Sequence, residues 1–193
     1  MVKRYGMVID LERCTGCQTC TVACKVEHGI EVGSGISVQT VGGPHRDTPG
    51  GTYPNLSMYY LPTPCMHCDK PPCQDACPAG AISKRPDGIV LIDEEKCDGC
   101  QMCISACPYE ALFFDSDKNV VRKCNMCSDR LDEGFEPFCV LCCGVDAMFY
   151  GDIADPASDV SKLIANRNAY TLKSEQGAGP AIYYCAPQPP RRL

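Results

Sequence analysis

The chain has 193 residues, of which 18 are cysteine, and 18 Lys and Arg against 24 Asp and Glu leave a net charge of −6. Leu, Ile, Val and Phe together make up less than a fifth of it. That is near the composition at which hydrocarbon burial alone fails to fold a chain, so disulfides, metal ions or clusters must contribute. The acidic balance, with no basic block, argues against a nucleic-acid surface, and the lack of a long apolar run argues against a membrane-spanning helix.

In chain order, Tyr5–Ile9 reads as a strand. It leads into group one, Cys14, Cys17, Cys20 and Cys24, spaced C-x2-C-x2-C-x3-C, with a short helix expected from Thr21 to Val26. Residues 29–55 carry seven Gly and three Pro and read as a long surface loop. Leu56–Leu61 reads as a strand entering group two, Cys65, Cys68, Cys73 and Cys77, spaced C-x2-C-x4-C-x3-C. Ile89–Ile92 is strand-like and precedes group three, Cys97, Cys100, Cys103 and Cys107, with the spacing of group one. Phe113-Phe114 and Val120–Arg122 read as the arms of a hairpin around a polar turn. Group four follows, Cys124, Cys127, Cys139 and Cys143, spaced C-x2-C-x11-C-x3-C. Cys142 and Cys185 are left over. Beyond Tyr150, Val160, Leu163 and Ile164 fall at helical spacing, Gly177 to Pro180 breaks the chain, and Ala181–Tyr184 suggests a last strand. This tail is expected either to pack on the body or to dock on a partner. Arg191-Arg192 is a twin arginine at the wrong end of the chain for export.

The groups repeat. Asp10-Leu-Glu-Arg-Cys-Thr-Gly-Cys-Gln-Thr-Cys aligns with Asp93-Glu-Glu-Lys-Cys-Asp-Gly-Cys-Gln-Met-Cys. Gly16 and Gly99 take matching places, where backbone amides must crowd onto bound sulfur. Groups two and four match as well, with Ala81 paralleling Ala147 and an insertion around Leu131 to Gly134 lengthening group four. The plan is a duplicated pair, interleaved in sequence.

Bacterial ferredoxins hold [4Fe–4S] cubes with this run, in which three thiolates wrap one cube and the fourth serves a second. Pro78 and Pro108 close groups two and three without needing a backbone donor. Disulfides compete poorly, because neighbouring C-x2-C thiols pair badly and nothing places the chain in a secreted class. Zinc ribbons have no use for a third cysteine at the same spacing. A thioredoxin-like redox pair would not be repeated in series. No phosphate loop, dinucleotide-binding loop or Ser/His/Asp constellation offers a rival chemistry. His67 lies inside a cysteine loop, where packing or a hydrogen bond to sulfur is its expected role. Lys84-Arg85 and Arg122-Lys123 lie close in sequence to the groups, as tuning charges or as solvated surface.

Several further stretches resemble one family: Met7-Val-Ile-Asp10, Gly51-Thr-Tyr-Pro54, Pro64-Cys-Met-His-Cys68, Pro71-Pro-Cys73, Cys107-Pro-Tyr109, Lys123-Cys-Asn-Met-Cys127, and Glu175-x-Gly177-x-Gly-Pro180 with Tyr183. The chain resembles the four-cluster, ferredoxin-like iron–sulfur (beta) subunits of molybdopterin oxidoreductases in the dimethyl sulfoxide reductase superfamily. Members serve polysulfide, thiosulfate, tetrathionate, dimethyl sulfoxide and arsenate reductases and polyphenol transhydroxylases. The resemblance implies an α+β fold of two interleaved ferredoxin-like 2[4Fe–4S] modules, residues 1–28 with 120–151 and residues 56–119. It leaves 29–55 as a surface insertion and 152–193 as a docking extension.

It also implies a crossed ligand pattern: Cys14, Cys17, Cys20 and Cys143 on one cube; Cys124, Cys127, Cys139 and Cys24 on its neighbour; Cys97, Cys100, Cys103 and Cys77 on a third; Cys65, Cys68, Cys73 and Cys107 on the fourth. Where the family usually closes group four with Ala-Cys-Pro, this chain has Cys142-Cys143-Gly144, so Cys143 is taken as the ligand and Cys142 as a stand-in for Ala. Cys185 is expected to be a bystander. Cys100 stands where relatives with a three-iron cluster carry a bulky residue, so four complete cubes are expected.

The implied function is electron transfer to or from a catalytic subunit that itself carries molybdopterin guanine dinucleotide. No active site of its own is expected on this chain. A free soluble polyferredoxin is the competing reading, and the excess chain at 29–55 and 152–193 favours a docked subunit. The implied place is the inner membrane, on its periplasmic face, beside a quinone-linked anchor and exported with a partner that carries the signal. A soluble cytoplasmic complex acting on polyhydroxylated aromatics is the alternative.

Overall fold

The computed structural model describes residues 2–187; the Arg191-Arg192 pair lies outside them. Met7, Val8 and Ile9 are almost fully inaccessible to solvent, so β1 (Tyr5–Asp10) is apolar on both faces and sits as a central strand. β10 (Met148–Asp152) pairs with it antiparallel, Met7 opposite Tyr150, and β11 (Ile182–Cys185) pairs parallel on the other side, Val8 opposite Tyr183. The helix α6 (Asp159–Asn166) covers this sheet, with Val160 against Val8 and Cys185. Ser158 caps it, its hydroxyl accepting from the Ser161 amide at 3.1 Å.

The C-terminal extension, expected either to pack on the body or to dock on a partner, packs on the body through Val160 and its last described strand, while most of residues 154–177 is exposed or half-buried. Ala181, Ile182, Tyr184 and Cys185 are all fully buried, and the Tyr184 hydroxyl donates to the Pro62 carbonyl at 2.9 Å. The reason is the sheet: a strand apolar on both faces needs a neighbour on each edge, and the tail supplies one. Cys185 packs with Val8 and Val160.

The remaining strands form two-stranded ladders. β2 (Ile36–Val41) pairs antiparallel with β5 (Tyr59–Pro64), β6 (Ile82–Lys84) with β7 (Val90–Ile92), and β8 (Leu112–Asp115) with β9 (Val120–Lys123). A fourth and exposed ladder joins β3 (Gly50–Thr52) to β4 (Asn55–Ser57). The surface loop expected at 29–55 thus contains strands, and the single strand expected at 56–61 is divided between β4 and β5. Only Ile36 of β2 is deeply buried, so its local pattern is weak. The pairing with β5, some twenty residues on, makes it a strand. The hairpin expected at 113–122 is β8 and β9, with Phe114 opposite Val121.

The other helices are short: α2 (Pro72–Asp75), α3 (Met102–Ala106), α4 (Ser128–Asp132) and α5 (Phe138–Leu141), beside the longer α1 (Thr19–His28). Single turns and two-stranded ladders are marginal alone. The core that holds them is part thiol: Cys20, Cys24, Cys65 and Cys68 pack with Met7, Ile9, Met66 and Ile89, and Cys73 and Cys103 pack with Ile82 and Val90.

One ion pair ties the tail to the central strand. Arg167, just past α6, donates to the buried Asp10 carboxylate at 3.0 Å, and Asp10 is 3% exposed at its side chain. Arg167→Ala leaves that carboxylate with a single backbone donor, the Glu12 amide. The expected cost is about 3 kcal/mol, the low end for a broken buried pair because Arg167 is partly exposed. The denaturation midpoint of the loaded chain measures it; an unchanged midpoint contradicts this account of the tail.

Candidate metal centres

The repeat seen in the sequence is a repeat of hydrogen bonds. The Asp10 carboxylate accepts from the Glu12 amide at 3.1 Å, and its carbonyl accepts from the Cys14 amide at 3.2 Å. Asp93 does the same for Glu95 at 3.1 Å and Cys97 at 3.1 Å. This turn lifts the chain off β1 and off β7 and begins each cysteine loop. Gly16 and Gly99 have φ of 69° and 72°, and a Cβ on Gly16 would lie 2.4 Å from the Tyr60 ring. Gln18 and Gln101, which carry the left-handed residue before α1 and α3, were not singled out by sequence.

The loops gather the thiols in fours. One cavity is lined by Cys14, Cys17, Cys20 and Cys143. A second is lined by Cys77, Cys97, Cys100 and Cys103. A third is lined by Cys65, Cys68, Cys73 and Cys107. The remaining thiols form a fourth set: the Cys139 thiol, pushed well up by burial, feels Cys124, Cys127 and Cys24, and last Cys20 of the first set. Its wall includes Gly35, where a Cβ would lie 2.8 Å from Cys24 Sγ and 3.2 Å from the Cys124 Cα. Cys142 lines none of these cavities.

Each set borrows one thiol from a helix that mainly serves another. Cys20 and Cys24 are four residues apart on α1, about 6 Å along its axis and on one stripe; Cys20 lines the first cavity, and Cys24 acts on Cys139 of the fourth set more strongly than Cys20 does. Cys139 and Cys143 divide in the same way around α5, which packs on α1. Cys73 and Cys77 around α2, and Cys103 and Cys107 around α3, divide between the other two cavities, and α2 packs on α3. The fourth-cysteine sulfurs are held alike. Cys77 Sγ accepts from the Ala81 amide at 3.3 Å, and Cys143 Sγ accepts from the Ala147 amide at 3.3 Å.

Burial pushes the Cys20 and Cys127 thiols up to about 11 and those of Cys68 and Cys73 up to about 12. They stay protonated and neutral until a metal displaces the proton. Cys17 and Cys100 are exposed, and hydrogen bonds from Thr19 lower the Cys17 thiol.

The sets fit cubes better than single ions. Among the described residues, no three Cys, His, Asp or Glu side chains close on one point as a mononuclear ion requires. Three of the four sets instead line a common cavity each. The cavity of Cys65, Cys68, Cys73 and Cys107 is also lined by Tyr109, whose buried hydroxyl has no partner, a donor without an acceptor unless sulfur fills the space.

Two family models match, a 4Fe-4S dicluster domain over residues 56–153 and a 4Fe-4S binding domain over residues 5–26. The sequence is 39% identical to the B subunit of the sulfite dehydrogenase of Allochromatium vinosum, over 94% of this protein and 82% of that one. It is 39% identical to the B component of the polysulfide reductase of Wolinella succinogenes, over 95% and 94%. It is 34% identical to the iron–sulfur subunit of an arsenate respiratory reductase from a Shewanella strain, over 94% and 95%. This protein belongs to the family of iron–sulfur subunits of the dimethyl sulfoxide reductase superfamily. It carries [4Fe–4S] clusters, and its function is electron transfer.

For an iron–sulfur subunit the surrounding polar groups matter as much as the thiols. His28 Nε2 lies 3.3 Å from Cys127 Sγ. Nothing in the sequence marked His28, which lies just before the expected loop and meets Cys127 only in the fold. His67 is fully buried, and its Nδ1 accepts from the Val90 amide at 3.0 Å. That fixes the proton on Nε2, which has no protein partner. Of the four basic residues noted from sequence, three are paired with carboxylates: Lys84 with Asp69, Arg85 with Asp87 and Asp132, and Arg122 with Asp115 and Glu94.

Proposed function

We propose that sixteen cysteines hold four cubes in the crossed pattern, in two interleaved ferredoxin-like modules, and that the four sites stand in series as a wire. The observation that carries this is the sharing of helices. α1 and α5 join the site of Cys14, Cys17, Cys20 and Cys143 to that of Cys24, Cys124, Cys127 and Cys139. α2 and α3 join the site of Cys65, Cys68, Cys73 and Cys107 to that of Cys77, Cys97, Cys100 and Cys103. The two pairs meet where Cys124 feels Cys65. The order along the wire is then the Cys14 site, the Cys24 site, the Cys65 site and the Cys77 site. When bound, such clusters exchange single electrons with little rearrangement.

The ends of the series support the reading. Cys17 and Cys100, one in each outer site, are the exposed thiols among the sixteen; five of the eight inner thiols are buried, against one in each outer site, Cys20 and Cys103. Electrons enter at one outer site and leave at the other, and the buried middle keeps them from adventitious acceptors. The modules are joined by the ladder of β8 with β9, one strand from either module, and β2 of the 29–55 insertion pairs with β5.

The partner is a catalytic subunit carrying molybdopterin guanine dinucleotide, since the relatives are second subunits of reductases and dehydrogenases. A quinone-linked membrane anchor on the periplasmic face completes the respiratory version of the complex. No helix among the described residues is long and apolar enough to cross a membrane. Purification of the native complex tests this. Co-elution of a molybdopterin-bearing chain is expected. A stable, loaded monomer that reduces unrelated acceptors rapidly would instead establish a free polyferredoxin.

A further inference from the structure

Lys123 is 9% exposed. Its ammonium donates to the Val90 carbonyl, and to the Cys124 carbonyl at 2.9 Å. Val90 lines the cavity of Cys65, Cys68, Cys73 and Cys107, and Cys124 belongs to the neighbouring thiol set. The amine therefore stands at the junction of the two inner sites. It differs from Lys84, Arg85 and Arg122, because no carboxylate lies in ion-pair range of it among the described residues. Buried charges are ordinarily paired, since an unpaired one loses its hydration without return. The other polar group at the junction, His67, is bound to the amide of the same Val90 and brings no negative charge.

We propose that Lys123 is the counter-ion of the two inner clusters and sets the potential of the central electron step. This rests on the four-cluster reading above. Each cube with its four thiolates is an anion, and taking up one electron adds one negative charge, with no bond made or broken and no proton required. A fixed cation between two such sites stabilises the reduced form of both. It raises both potentials together, which keeps the step across the module junction close to level. The outer sites lie beyond the junction and are little affected.

The test uses the purified complex and a potentiometric titration followed by low-temperature EPR, each signal assigned by a Cys→Ser exchange in its own ligand set. In Lys123→Met the midpoint potentials of the two inner clusters should fall, and those of the two outer clusters should hold. Lys123→Arg should restore the wild-type order. Lys84→Met, which removes a cation already paired with Asp69, should move neither inner cluster. If Lys123→Met does not assemble, Lys123→Gln keeps a donor for the two carbonyls and should show the same selective fall. Inner potentials that stay at the wild-type value, or all four falling alike, overturn the proposal. Failure of the four-cluster reading looks different: the wild-type complex itself would lack four distinguishable signals.

Discussion

Stripping iron from the loaded chain is expected to unfold it, with the loss of brown absorbance and of secondary structure following a single course. The thiols are structural members of the core, packed beside Met7, Ile9 and Ile89 in one cluster and beside Ile82 and Val90 in the other. Helices of four or five residues, such as α2, α3, α4 and α5, do not persist alone. Neither do the two-stranded ladders that connect them. Structural zinc in small peptides supplies folding free energy on the order of 10 kcal/mol, as much as the whole stability of many domains, and cluster binding here acts in the same sense. Circular dichroism during treatment with an iron chelator follows the transition. A stripped chain that keeps its native spectrum and its protection from protease would contradict this account.

Exchange of Cys24 for serine should disturb a cluster other than the one its position in the sequence suggests. Cys24 lies four residues after Cys20, yet on α1 it joins Cys124, Cys127 and Cys139, while Cys143 at the far end of the chain joins Cys14, Cys17 and Cys20. Cys24→Ser should therefore shift the potential of the Cys124 cluster, or cost it one iron, and leave the Cys14 cluster unchanged. Cys143→Ser should do the reverse. Serine presents a harder and more basic ligand atom, so the affected signal moves rather than vanishing into the others. Cys142→Ala should leave all four clusters in place, because Cys142 lines none of the thiol cavities and only closes α5. EPR of the reduced variants distinguishes these outcomes. Loss of the Cys14 cluster in Cys24→Ser would place both thiols on one cube and end the crossed assignment.

Much of this was legible in the sequence because cysteine spacing is a local record. Three thiols two residues apart can only ring one loop, and the repeat from Asp10 to Cys20 and from Asp93 to Cys103 marks the same turn twice. β1, the β8–β9 hairpin and α6 were readable from their own residues. What was not readable depends on distant partners. β2 looks like a glycine-rich loop until β5 is laid beside it, and the last strand, readable in itself, does not show that its partner is the open edge of β1. His28 meets Cys127 across 99 positions, and Lys123 loses its solvent only when β7 and group four close around it. No local pattern records such contacts.

The central claim is that this protein is held together and made functional by four cubes in series. Iron and acid-labile sulfide, measured on the purified anaerobic protein against protein concentration, test it most directly. The account predicts about sixteen of each per chain, with negligible zinc. Zinc in stoichiometric amount with no labile sulfide, or iron at half that value in fully loaded protein, would contradict it.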